Sequence, residues 1–311
     1  MEKQTILAKI KYNVIYGSWY TLSLLPFCVL YLISDGLYYV IYYLVRYRRT
    51  VVAANLSGSF PDKNAQELKK IEKRFYRFFC DYFVETVKLL SISRSQMKKR
   101  MVFHGVQEVE KALNEEQKDF GFIYLGHYGN WEWIASLPYH VSSSIHCAQI
   151  YHPLYDKEFD NLFLNMRNHF GGESIPMKQT LRRIIELKRQ GRKTLVGFIS
   201  DQLPKWNSIH FFVPFLHRET AVFTGAEQIG RQVNAAFFFG EITRPKRGYY
   251  ECTFKRMPVS QAPSTDYELT TMFMNMLEQM ICRTPELWLW THKRWKRTKE
   301  EWLERQQAQK G

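Results

Sequence analysis

Residues 120–133 read FGFIYLGHYGNWEW. Phe120–Leu125 is a short apolar run with the length and composition of a buried strand, and Gly126 ends it. Trp131–Leu137 then reads as the start of a helix, limited by Pro138. Between the two lie His127 and Glu132, with four residues separating them. On one continuous helix that offset sets side chains about 140° apart, so they would not meet. A strand end, a tight loop through Gly129 and a helix start bring them together. Glu132 in the first helical turn sits at the positive end of the helix dipole. A carboxylate accepting the Nδ1 proton of His127 leaves Nε2 free as a general base, suited to deprotonating a hydroxyl as it attacks an acyl carbonyl. A structural His–Glu pair fits the same residues, and the pattern alone leaves both readings open.

Working outward, strand-like runs recur at Ile145–Tyr151, Thr194–Ser200, Phe211–Phe215, Ala235–Thr243 and Tyr249–Arg256. The last two are joined by a turn at Pro245-Lys246-Arg247-Gly248. Helical periodicity covers Ala65–Leu90, Val106–Asn114, Asp156–His169, Thr180–Arg189 and Tyr267–Cys282. Asn55–Asp62, NLSGSFPD, reads as a turn-rich connector. Strands alternating with helices predict an α/β fold with a mixed central sheet flanked by helices.

The chain has 311 residues, 45% of them hydrophobic, enough for a sizeable core. That content argues against disorder. Five cysteines without a CxxC pair argue against a disulfide scaffold and for a reducing compartment. With 44 Lys and Arg against 30 Asp and Glu, the net charge is +14. Such a balance favours an anionic partner: nucleic acid, an anionic membrane surface or an acidic carrier protein.

Trp19–Val45, WYTLSLLPFCVLYLISDGLYYVIYYLV, carries one formal charge, Asp35. Its length suffices for a bilayer crossing. Lys3, Lys9 and Lys11 precede it and Arg46, Arg48 and Arg49 follow, favouring a cytoplasmic main domain. Pro26 and Asp35-Gly36 would interrupt a straight helix, so a kinked or re-entrant anchor also fits. Asp35 should face protein, water or headgroups. We expect an N-terminal hydrophobic membrane-anchoring helix over residues 1–50 and a catalytic domain over residues 51–311.

GHYGNWEW resembles the His-x4-acidic motif of glycerolipid acyltransferases. More specifically, it resembles the bacterial lipid A biosynthesis family of late lauroyl/myristoyl acyltransferases, which carry Glu at the acidic position. YRRTVVAANLSGSFPD (residues 47–62), NMRNHFGG (165–172), ISDQLPK (199–205), FFVPFLHR (211–218) and PELWLWTHKRWKRT (285–298) are similar to segments of that family, in the same order. Close members carry a second acidic residue or a His beside the Asp of the third segment; here Gln202 and Leu203 follow Asp201. The resemblance implies a membrane-associated O-acyltransferase of the bacterial inner membrane, its active domain cytoplasmic. His127 would be the base and Glu132 its orienting carboxylate. Arg167 would stabilise an oxyanion or hold a phosphate, and Asp201 would order Arg167 or the acceptor. The donor would be an acyl carrier protein or coenzyme A thioester, and the acceptor a lipid A precursor. A lysophospholipid or amino-acid lipid is the alternative acceptor.

No GxSxG elbow occurs, so direct transfer without a covalent acyl-enzyme is expected. His140, His146 and His152 recur every six residues, which is no metal-ligand spacing, and neither a metal nor another cofactor is expected. No Walker A or GxGxxG pattern supports nucleotide binding. The basic stretch Thr291–Lys299, five Lys and Arg around Trp295 with Trp288, Trp290 and Trp302 nearby, reads as an interfacial anchor rather than a nucleic-acid patch. A basic membrane- or nucleic-acid-binding module without catalysis is the non-enzymatic alternative. Met272, Met274, Met276 and Met280 read as core filler.

Overall fold

The computed structural model describes residues 2–260 and 266–308. The side chains of Lys3 and Lys9, expected to flank the apolar segment, lie outside the described residues. In chain order the helices are α1 (Glu2–Leu24), α2 (Phe27–Tyr39), α3 (Arg49–Ser59), α4 (Ala65–Lys88), α5 (Arg94–Arg100), α6 (Val106–Asn114), α7 (Lys157–Asn168), α8 (Thr180–Arg189), α9 (Gly225–Gln232), α10 (Glu268–Arg283) and α11 (Lys299–Ala308). The strands are β1 (Met101–His104), β2 (Phe120–Leu125), β3 (His146–Tyr151), β4 (Glu173–Pro176), β5 (Thr194–Ile199), β6 (Phe211–Phe215), β7 (Arg218–Val222), β8 (Ala236–Lys246) and β9 (Tyr249–Met257).

Seven strands form one mixed sheet in the order β1-β9-β8-β2-β5-β3-β4, while β6 and β7 form a separate hairpin. β8, β2, β5, β3 and β4 are mutually parallel, and β9 with β1 runs against them. The mixed α/β fold read from the sequence is therefore the one observed.

Connectivity sets the layers. The chain leaves β2 toward β3 and β4, then returns through α8 to β5 and on to β8. Right-handed crossovers place outward and returning connections on opposite faces. Accordingly α7 and the 3-10 segment Trp131–Tyr139 cover one face together with α4. On the other, Tyr124 stacks on Phe273 of α10 at 4.9 Å. Gly230 of α9 leaves room for the Phe237 and Phe122 rings, the latter 3.0 Å from where a Cβ would stand. β2 and β5 are neighbours whose chains depart over opposite faces. That is the arrangement in which open α/β sheets form a ligand crevice, at the carboxyl ends of the strands.

The apolar N-terminal segment is broken. Pro26 caps α2, separating it from α1, because proline cannot donate within a helix. A π-helical turn, Val40–Val45, extends α2. Asp35-Gly36 stays inside α2, contrary to its expected role as a break; Asp35 pairs with Arg247 at 2.7 Å. Phe27, Leu30, Ser34 and Tyr38 form the buried stripe of α2, which packs on α4.

Two other expectations need correction. Asn55–Ser59 is the end of α3, not a connector. The Asn55 amide donates to the carbonyls of Trp290 and His292, and Arg218 donates to the Asn55 carbonyl, which ties the end of α3 to the C-terminal segment and to β7. Beside the basic stretch Trp288 and Trp290 are buried, so these two indoles cannot serve an interface, whereas Trp295 and Trp302 are half-buried and Lys293, Lys296 and Lys299 exposed.

Candidate active site

The crevice is built from loops that leave β2 and β5. Gly126 follows β2 directly; a Cβ there would stand 2.7 Å from Leu277 Cδ1 and 3.6 Å from Asp201 Oδ2. Gly129 turns the loop with φ +57°, where an added Cβ would meet Ile242 at 2.7 Å. The antiparallel passage of residues 287–289 fixes that loop. Gly129 N–H donates to the Leu287 carbonyl at 2.9 Å and Leu289 N–H to the His127 carbonyl at 3.1 Å. Asn130 then caps the 3-10 segment, accepting from Trp133 N–H at 3.3 Å and donating to the buried Glu85 at 2.8 Å.

Glu132 does not hold the His127 ring. The Nδ1 of His127 lies 2.6 Å from Asp201 Oδ1, across from β5. Asp201 Oδ2 also accepts His127 N–H at 2.9 Å and the Trp288 indole N–H at 2.7 Å. Burial alone would raise this carboxyl's pKa. The charge of His127 and these hydrogen bonds outweigh it, and the pKa falls below the ordinary Asp value. An ionised Asp201 can only accept, so Nδ1 carries the proton, and whenever the ring gives up its other proton Nε2 carries the lone pair. The imidazole retains 19% exposure while its carboxylate has 2%. Gln202 Nε2 lies 3.1 Å from His127 Nε2.

Glu132 is the partner of Arg167, the C-terminal turn of α7 supplying the guanidinium. Nε and Nη2 each donate to a different Glu132 oxygen at 2.7 Å, the bidentate geometry that suits this pair. Burial works against the Arg167 charge, but Glu132 more than offsets it, and the pKa rises above the ordinary guanidinium value. The pair adjoins the imidazole through aromatic rings. His127 meets Trp131 edge-on at 5.2 Å, Trp131 stacks on Tyr82 at 4.1 Å, and the Tyr82 hydroxyl lies 3.5 Å from Glu132 Oε1. Burial and Glu132 together push the Tyr82 phenol well above its usual pKa.

The four residues read from the sequence thus form two couples, His127 with Asp201 and Glu132 with Arg167, linked through the Trp131 and Tyr82 rings, instead of the expected His127–Glu132 pair. Sequence reasoning missed Tyr82, Trp288, Gln202 and His292. The run LWLW at 287–290 is uniformly apolar and so marks the segment as buried, without singling out Trp288. The described cavities lie behind the loop. One of about 180 Å³ is lined by Tyr128, Ile242 and Met280; another of about 640 Å³ is lined by Tyr38, Arg77 and Arg247, and none of the four site residues borders either. Among the described residues no cluster of His, Cys, Asp and Glu is arranged to hold a metal.

An imidazole braced by a buried carboxylate at the carboxyl edge of a parallel sheet has the parts of a general-base site in an α/β enzyme. The profile of the bacterial lipid A biosynthesis acyltransferase family matches residues 2–297, and the chain belongs to that family. It is an acyltransferase of lipid A biosynthesis. No curated protein matches the chain.

Proposed function

We propose that the protein moves a fatty acyl chain from an acyl carrier protein or coenzyme A thioester to a hydroxyl of a lipid A precursor, at the cytoplasmic face of a bacterial inner membrane. His127 Nε2 takes the hydroxyl proton as the oxygen attacks the thioester carbonyl. A C–O bond forms, the C–S bond breaks, and the imidazolium returns the proton to the leaving thiolate. Asp201 fixes the tautomer and balances the imidazolium charge, as the carboxylate of a catalytic triad does. Arg167 is anchored on Glu132 through Nε and Nη2, which leaves Nη1 for the carbonyl oxygen or an acceptor phosphate. The crevice offers the base directly to substrate, so no acyl-enzyme is required.

The observation that carries this reading is the Nδ1–Asp201 contact at 2.6 Å on a ring that still reaches solvent. The test incubates purified protein with an acyl thioester and a lipid A precursor. Mass spectrometry should show the precursor gaining one acyl chain, and His127→Ala should slow this on the order of 10²–10⁴-fold. A His127→Ala rate equal to wild type removes His127 as the base.

A further inference from the structure

We propose that Gln202 guards the base. Its amide occupies the free nitrogen of His127 until a lipid hydroxyl displaces it, and this holds the enzyme to acyl transfer instead of thioester hydrolysis. The inference rests on the reading of His127 as the base.

With Nδ1–H committed to Asp201, Nε2 of the neutral ring can only accept. The group at 3.1 Å must then be the Gln202 NH₂, donating into the lone pair that deprotonation requires. Substrate and Gln202 therefore compete for one acceptor site. A single neutral hydrogen bond is weak enough for a bound hydroxyl to replace it.

The surrounding chain leaves only the side chain to move. Leu203 N–H donates to His292 Nε2 at 3.3 Å, and the Pro204 carbonyl accepts from Arg297 at 2.8 Å. Burial and the neighbouring Arg294 push His292 down to about 4, so at neutral pH its ring is uncharged and free to accept. Asp201 on the other side is locked by His127 and Trp288. Gln202 itself is half-buried, at the mouth where the imidazole meets solvent.

An uncapped base beside a thioester activates water as well as an alcohol. Water would give its proton to Nε2 and its oxygen to the carbonyl; the C–S bond would break, yielding a free fatty acid and a thiol. The amide stops water from using the lone pair. A bound lipid hydroxyl, held by the rest of its own headgroup, can displace it.

The test compares Gln202→Ala and Gln202→Leu with wild type, using a fatty-acyl coenzyme A. Thiol release without acceptor reports hydrolysis, and acylated lipid A precursor reports transfer. Loss of one hydrogen bond of ordinary strength should raise the ratio of hydrolysis to transfer about fivefold in both variants. General damage to the fold lowers both reactions together and does not raise the ratio. Gln202→Glu keeps the shape and adds a charge that favours imidazolium, so the acid limb of its transfer-rate profile should move to higher pH. A wild-type ratio in the Ala and Leu variants together with an unmoved Glu profile overturns the guard. His127→Ala separates the two readings: if it loses both reactions while those Gln202 results hold, the base stands and the guard alone falls. If it transfers at the wild-type rate, both fall.

Discussion

Asp201 accepts three N–H donors, from the ring of His127, its main chain and the indole of Trp288, with only 2% of its side chain exposed. An amide cannot do this. Asn at this position offers one acceptor oxygen and two N–H groups, and an N–H facing Nδ1 forces the proton onto Nε2. Asp201→Asn should therefore lower kcat by about 10³–10⁴-fold with little change in the binding of lipid, as the equivalent exchange does in a serine-protease triad. Steady-state kinetics against both substrates check it; a raised KM at unchanged kcat would assign Asp201 to binding. This carboxylate was also the hardest part of the site to pair from the sequence. Glu132 is close to His127 along the chain, and its residue type and spacing suggested a dyad. Asp201 lies 74 positions away and reaches the ring only because β2 and β5 are neighbours in parallel register. The 3-10 turn after Asn130 instead directs Glu132 to Arg167. All four groups were named from the sequence, but how they pair depended on strand order.

Elements with strong periodicity were legible to within a residue or two. Val106–Asn114 and Thr180–Arg189 match α6 and α8, and the apolar runs gave β2, β5, β6 and the β8–β9 hairpin. β1, β4 and β7 escaped because only parts of them are buried, so their sequences, MVFH, ESIP and RETAV, lack an apolar run. α3 escaped because its Ser, Gly and Asn content favours turns, and side-chain bonds from Arg218 and Asn55 override that preference. The contact between the β2 exit and α10 gives an element-scale test. Leu277 of α10 is fully buried and leaves no room for a Cβ on Gly126. Gly126→Ala should destabilise the fold by about 1–3 kcal/mol through overpacking. Adding Leu277→Val should recover part of that loss, because it shortens the opposing side chain. Denaturant titration of the single and double variants measures both. Additive losses would show that the alanine clashes elsewhere.

At the scale of the whole molecule, the N-terminal helices bear on how the site would meet a lipid surface. α2 is anchored on α4 by one stripe, with Leu30 fully buried and Tyr38 nearly so, and Asp35 is tied to Arg247 on the protein side. Among the described residues nothing covers the opposite stripe of α2 and the π-helical turn after it: Leu32 is 63% exposed and Leu44 76%, with Tyr39, Tyr43 and Val45 beside them. A helix that keeps one face on a folded domain suits lying in a bilayer surface with its free face among the acyl chains. The chain's charge of +14 adds attraction to anionic headgroups. The purified protein should therefore float with phosphatidylglycerol-containing vesicles in a density gradient. Leu32→Glu with Leu44→Glu should abolish most of that flotation at physiological salt. Neither side chain packs in the core, so far-ultraviolet circular dichroism and the melting midpoint should stay near wild type. High salt alone should weaken wild-type binding only in part, since the apolar contribution is not screened. Undiminished flotation of the double variant would mean that another surface holds the protein to the bilayer, and the placement of the crevice at the membrane through α2 would have to be abandoned.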